Sequence, residues 1–319
     1  MKVTDIRKIA MFGAGTIGGG FAAYFALKGL DVNVYVRGEA SAKRAKKAIQ
    51  SPIDSFIRYG IVDSGEKLWA RITLTTDPAE AFSGVLFIQE NGAENLEQKH
   101  GMIALVEQYA SADAVIASSS SGMSATSIAE GAKHPERILV AHPFNPAYLI
   151  PLVEICKGEQ TSQESVDLAV AFYKKYDKTP IVLRKEKKGF VANRLAHALW
   201  REEIALVCEG VCTLEEADDA ICFGPGLRWG IMGPAMGYEL GGGDLGLRGC
   251  AIKFGAMTNS VFEDISAMTR VPDEWADLSG EQILPLMAHM PDHVGHTKPE
   301  IAAFRDYMLI EMLKLHQKL

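Results

Sequence analysis

The 319-residue sequence predicts an α/β protein, a doubly wound parallel sheet followed by an all-α C-terminal domain. Three observations carry that expectation. An apolar strand over 8–12 runs directly into Gly13-Ala14-Gly15-Thr16-Ile17-Gly18 and on into an apolar helix. Short apolar runs at 32–36, 72–74, 85–89, 114–117 and 137–141 alternate with longer polar stretches, as parallel strands joined by right-handed crossover helices do. After the charged break at 184–188 only helical spacing remains, and the domain boundary is drawn there, between 186 and 187.

A strand, then G-x-G-x-x-G, then a helix is the dinucleotide-binding fingerprint in the setting it needs, which makes 1–186 a Rossmann-type domain. Gly13 permits the tight turn, Gly15 lets the backbone approach a pyrophosphate, and Gly18 lets helix and strand touch. Thr16 and Ile17 open the helix, whose leading amides and partial positive charge face the phosphates. The uncharged run 9–27 behind Arg7-Lys8 imitates a signal peptide or a membrane span, but glycines in this register argue against both.

The second strand, 32–36, should end in an acid that holds the adenosine ribose; here Val36 is followed by Arg37. A missing acid beside an Arg suits a 2′-phosphate, so NAD and NADP both stay open. Lys43, Arg44, Lys46 and Lys47 follow on a predicted helix and serve equally well as a solvated basic face. The strand at 114–117 ends in Ser118-Ser119-Ser120-Ser121-Gly122; some of these hydroxyls cap a helix from Ser124 or Thr126, and Ser121 is the one placed to reach a substrate.

The chemistry is placed at His142-Pro143-Phe144-Asn145-Pro146, just past the apolar strand 137–141, the sheet edge at which open parallel sheets bind ligands. Both prolines forbid helix and steady the imidazole. Twelve residues on, Glu154 lies inside the apolar run 152–155, where a lone carboxylate is expensive to bury. The two are expected to pair, Glu154 fixing the tautomer of His142 as general base. A helix over 162–175 and a strand over 179–183 complete the sheet, and the helical part begins with Asn193 and Arg194 on its first turn. The stretch 224–229, Gly-Pro-Gly-Leu-Arg-Trp, reads as a rigid loop displaying Arg228 and Trp229.

Composition narrows the partners. A net charge of −7 without a basic stripe argues against a nucleic-acid or anionic-membrane binder. Five cysteines with no C-x-x-C pair favour reduced thiols and a cytoplasmic setting. His289, His293 and His296 suggest a metal, but Pro291 interrupts the helix that their spacing would need, so none is expected.

Taken together, the residues resemble the L-3-hydroxyacyl-CoA dehydrogenase family over nearly the whole chain. The matching pieces are Gly13-x-Gly15-x-x-Gly18, Glu94-Asn95 with Lys99, the serine run, 142–146, Glu154 and the 189–195 stretch, Gly-Phe-Val-Ala-Asn-Arg-Leu. The resemblance implies His142 as catalytic base with Glu154 as its acid, Ser121 and Asn193 on the substrate, and Glu94, Lys99 and Ser119 near the nicotinamide half of the cofactor. It also implies a helical domain, 187–319, that binds substrate and forms a homodimer. The long stretch 224–234 looks like the branch containing L-gulonate 3-dehydrogenase (lambda-crystallin) and L-carnitine dehydrogenase, which act on free 3-hydroxy acids. A free carboxylate suits the forked cation of Arg228. Trp229, with Phe144, Tyr148 or Tyr238, is placed to face a quaternary ammonium, or simply to pack. The alternatives are a short-chain acyl-CoA enzyme and a non-catalytic, crystallin-like dinucleotide binder.

Overall fold

In the computed structural model, which describes residues 2–319, eight strands form one sheet. They are β1 (Lys8–Phe12), β2 (Asp31–Tyr35), β3 (Ile72–Thr75), β4 (Phe87–Glu90), β5 (Val115–Ser118), β6 (Ile138–Pro143), β7 (Leu152–Lys157) and β8 (Thr179–Leu183). Their order is β3-β2-β1-β4-β5-β6-β7-β8. Both faces are covered, which is why the strands read as nearly continuous apolar runs. In β1, Ile9 and Met11 face one side, where Phe21 and Phe25 of α1 (Thr16–Leu27) and Ile49, Ile53 and Phe56 of α2 (Glu39–Arg58) meet them. Ala10 and Phe12 face the other, against Phe82, Ile103 and Val106. Helix α1 is buried from Gly18 through Ala26, as a helix apolar all round must be.

Two expectations change. The sheet is parallel except at β7, which runs antiparallel to β6 and parallel to β8. Only residues 144–151 connect β6 to β7, and a parallel return would need a crossover of roughly a dozen residues or more. Strand β6 also runs through His142 to Pro143, so the imidazole stands on the strand rather than beyond it.

The chain divides into two compact units, one of residues up to Ala192 with Asp306–Leu319, the other Asn193–Arg305. The final segment, placed by the sequence reading with the helical part, thus joins the sheet unit. Its Ile310 and Leu313 are buried in that core, and Asp306 accepts hydrogen bonds from the hydroxyls of Tyr148 and Ser55. The second unit is helical, with its own core of Ile204, Val207, Leu214, Ala217, Trp275 and Leu286. Within it, 225–229 is not a loop but a short helix, Pro225–Trp229, with Pro at its first position. Among the described residues no helix is long and apolar enough to cross a membrane.

Candidate active site

Strand order reverses between β1 and β4, and a crevice opens at their carboxyl ends, as expected at such a switch point. Gly13 has φ +83°, in the left-handed region. A Cβ on Gly18 would stand 2.3 Å from the Gly13 carbonyl oxygen, so helix and strand pack to contact there. A Cβ on Gly15, by contrast, would meet nothing within 4 Å, and this is the open side from which a phosphate approaches. Helix α1 begins without a side-chain cap, leaving its first amides for an anion. The crevice has a volume of about 620 Å³ and continues from this turn to Val36, Arg37, Arg44, Asn91 and Gly92.

Beneath the turn after β4 lies a buried ion pair. Glu90 accepts the Gly92 amide on Oε1; on Oε2 it accepts from Lys99 Nζ at 2.8 Å and Ser118 Oγ at 2.5 Å. Both charged residues are fully buried. Losing one partner of such a pair generally costs about 3–5 kcal/mol, because the other charge is left alone in an apolar interior. Lys99, expected beside the cofactor, therefore stands under the turn and supports it through Glu90. Glu90 was not singled out from the sequence. The signal was present, an acid closing the apolar run 85–89 with a Lys nine residues later.

The serine run divides by function. Ser118 belongs to Glu90; Ser119 donates to Asn91 Oδ1 at 2.8 Å and accepts from Gln89 at 2.8 Å. Ser120 donates to Glu94 at 2.8 Å, and Glu94 also accepts the Ser121 amide at 3.2 Å. Glu94 thus ties its loop to the serine turn. Ser124 caps the short helix Ala125–Ile128. The Ser121 side chain is exposed, and its hydroxyl has no protein partner among the described residues.

His142 and Glu154 are register partners across β6 and β7, so their side chains emerge on one face. His142 Nδ1 lies 2.9 Å from Glu154 Oε2, with Glu154 fully buried and His142 6% exposed. Phe144 and Phe190 flank the ring, their centroids 5.1 and 5.3 Å away. The second carboxylate oxygen, Oε1, accepts the amides of Val191 and Ala192, each at 2.9 Å. Those amides open the helix Ala192–Cys208, whose positive end favours the carboxylate. Cys156, two residues along β7, is no rival nucleophile: burial, with Glu186 and Glu154 nearby, pushes its thiol up to about 11.

Asn193 sits half-buried on the first turn of its helix, where its carbonyl pairs with His197 at 2.7 Å. Arg228 and Trp229 are exposed on the second unit. Tyr148, a candidate for facing a quaternary ammonium, is instead committed to Asp306. His289 pairs with Glu215, His296 with Asp292, and His293 packs on Phe304. Among the described residues no three metal-ligating side chains gather.

What the first unit can accommodate is a dinucleotide, and the imidazole on the same sheet makes the protein a candidate for moving a proton while that dinucleotide takes a hydride; the class is a Rossmann-type dehydrogenase. Residues 8–187 match the 3-hydroxyacyl-CoA dehydrogenase NAD binding domain and residues 189–278 the C-terminal domain of the same enzymes. An L-carnitine dehydrogenase of Bacillus cereus is 34% identical over 318 residues, covering 100% of this chain and 95% of that protein. One of Oceanobacillus iheyensis is 40% identical over 250 residues, covering 78% and 81%. Among solved structures, the NAD+ dependent dismutase 5-formyl-3-hydroxy-2-methylpyridine 4-carboxylic acid 5-dehydrogenase superimposes with a TM-score of 0.79 at 25% identity, covering 98% of both chains. The chain belongs to the 3-hydroxyacyl-CoA dehydrogenase family and is an NAD-dependent oxidoreductase acting on a CH–OH group.

Proposed function

We propose that the protein oxidises the 3-hydroxyl of a free 3-hydroxy acid, L-carnitine foremost, with His142 as general base. The observation that carries the reading is the buried contact between His142 and Glu154. With Nδ1–H donating to Glu154, the Nε2 lone pair is left to take the substrate's hydroxyl proton, and the carboxylate stabilises the imidazolium that results. A bound nicotinamide supplies the acceptor for the hydride leaving C3. Ser121 offers its unpaired hydroxyl to the substrate oxygen, and Asn193 shares that role.

Arg228 is assigned to the substrate carboxylate and Trp229 to a trimethylammonium group. Support comes from their exposure, from the match of several relatives to enzymes named for L-carnitine, and from the chemistry of each pair. A panel of L-carnitine, L-gulonate, 3-hydroxybutyrate and 3-hydroxybutyryl-CoA, followed by nicotinamide absorbance, tests this. Turnover of the free acid is expected, with Arg228→Met raising its KM and barely affecting the CoA ester. Turnover of the ester alone would return the protein to the acyl-CoA branch, and silence on every substrate would favour a non-catalytic binder.

A second copy of the chain is the proposed partner of the helical unit. Phe223, Ile231, Leu240 and Ile252 are each at least 67% exposed there, and several neighbours are also apolar and exposed. Lone subunits rarely leave so much apolar surface in water. Sedimentation equilibrium should give twice the 34.7 kDa chain mass; a monomer at micromolar concentration would refute the pairing.

A further inference from the structure

We infer that the adenosine end of the crevice is a 2′-phosphate subsite formed by Arg37, Ser41 and Arg44, so that the protein accepts NADP(H) at least as readily as NAD(H). The inference rests on the dinucleotide reading of the crevice and is independent of the substrate proposed above.

Strand β2 ends at Tyr35, and Val36 follows where a ribose-binding carboxylate would have to stand. Val36 is buried and offers no side-chain acceptor to the ribose hydroxyls. Beyond it the wall is cationic. Arg37, Ser41 and Arg44 all line the crevice, and no acidic side chain is among its lining residues. Both arginines are exposed and, among the described residues, neither is held by a carboxylate. Two guanidiniums without an internal anion are forks available to an external one, and a phosphate monoester fits that geometry better than a pair of hydroxyls.

Helix α2 adds to the same end. It starts at Glu39 with no side-chain cap, and Ser41 Oγ donates to the Gly38 carbonyl at 2.7 Å, which leaves the hydroxyl oxygen able to accept or to turn. The nearby carboxylates are occupied elsewhere. Asp77 caps the helix Pro78–Phe82 through the Ala79 amide, and Glu80 takes the Thr75 hydroxyl. Glu39 does not line the crevice.

The test uses the full chain and equilibrium binding, with no need for turnover. NADPH and NADH are titrated by nicotinamide fluorescence at low and high salt, and 2′-AMP and 5′-AMP are compared as competitors. The wild type should bind NADPH at least as tightly as NADH, and 2′-AMP should compete better than 5′-AMP. The double substitution Arg37→Gln, Arg44→Gln should raise the ratio of the NADPH Kd to the NADH Kd by about tenfold or more, the loss expected for one charge-assisted phosphate contact. Added salt should narrow the wild-type preference. A wild type favouring NADH, or a ratio unmoved by the double substitution, overturns the inference while leaving dinucleotide binding intact. Failure to bind either nucleotide removes the dinucleotide reading with it.

Discussion

Replacing His142 by Gln should lower kcat by about 10²–10⁴, the usual contribution of a positioned general base, while the NADH Kd stays nearly constant. The amide has roughly the reach of the imidazole but no basic lone pair at neutral pH. Flanked by Phe144 and Phe190 and resting on β6, position 142 should keep its shape, so the loss falls on the chemical step. Steady-state kinetics paired with a fluorescence titration separates the two effects. A variant that retains most of its turnover would place the base elsewhere.

Glu154→Gln should be almost as damaging to kcat, although it changes a single heavy atom. The native carboxylate accepts at both oxygens: Oε2 from His142, Oε1 from the amides of Val191 and Ala192. A glutamine has one oxygen and one NH2 group. Two backbone N–H donors compete with one imidazole for that oxygen, and an NH2 turned toward them would leave three donors facing one another without an acceptor. The favoured arrangement keeps the oxygen on the backbone and points the NH2 at Nδ1. The imidazole then carries its proton on Nε2 and has no lone pair for the substrate. The wrong tautomer and a lost carboxylate together should reduce kcat by about 10²–10⁴. Since the backbone bonds survive, the melting temperature should move only slightly. Calorimetry beside kinetics checks the combination: wild-type turnover would disprove the tautomer argument, and a collapsed fold would show that the oxygen does not hold the helix start.

Much of the fold was legible because its requirements are local. The glycine turn needs a left-handed residue at 13, an open one at 15 and a contact residue at 18, and each can be read position by position. Strands covered on both faces announce themselves as apolar runs. The contact between His142 and Glu154 was legible as well, since a carboxylate in an apolar strand needs a partner. The direction of β7 was missed because apolar composition does not encode direction; the shortness of 144–151 does. The return of the final segment was missed for a similar reason, since Ile310 and Leu313 look like the apolar face of any helix until the surface they cover is known. The short helix Pro225–Trp229 was hidden by its glycines, although Pro at a first helical position was the available clue. Glu90 with Lys99 shows the opposite case, in which two site-supporting charges are nine residues apart in sequence but are explained only by a third group, the Gly92 amide above them.

The reversal of one strand has a mechanical meaning. Because β7 turns back on β6 at once, residues 142 and 154 face each other as register partners in a single antiparallel ladder. Catalytic residues are found disproportionately on loops that a rigid scaffold positions. Here acid and base both stand on paired strands of the sheet, and both are buried. The two backbone positions can separate only if β6 and β7 unpair, so on heating, activity should be lost together with the sheet.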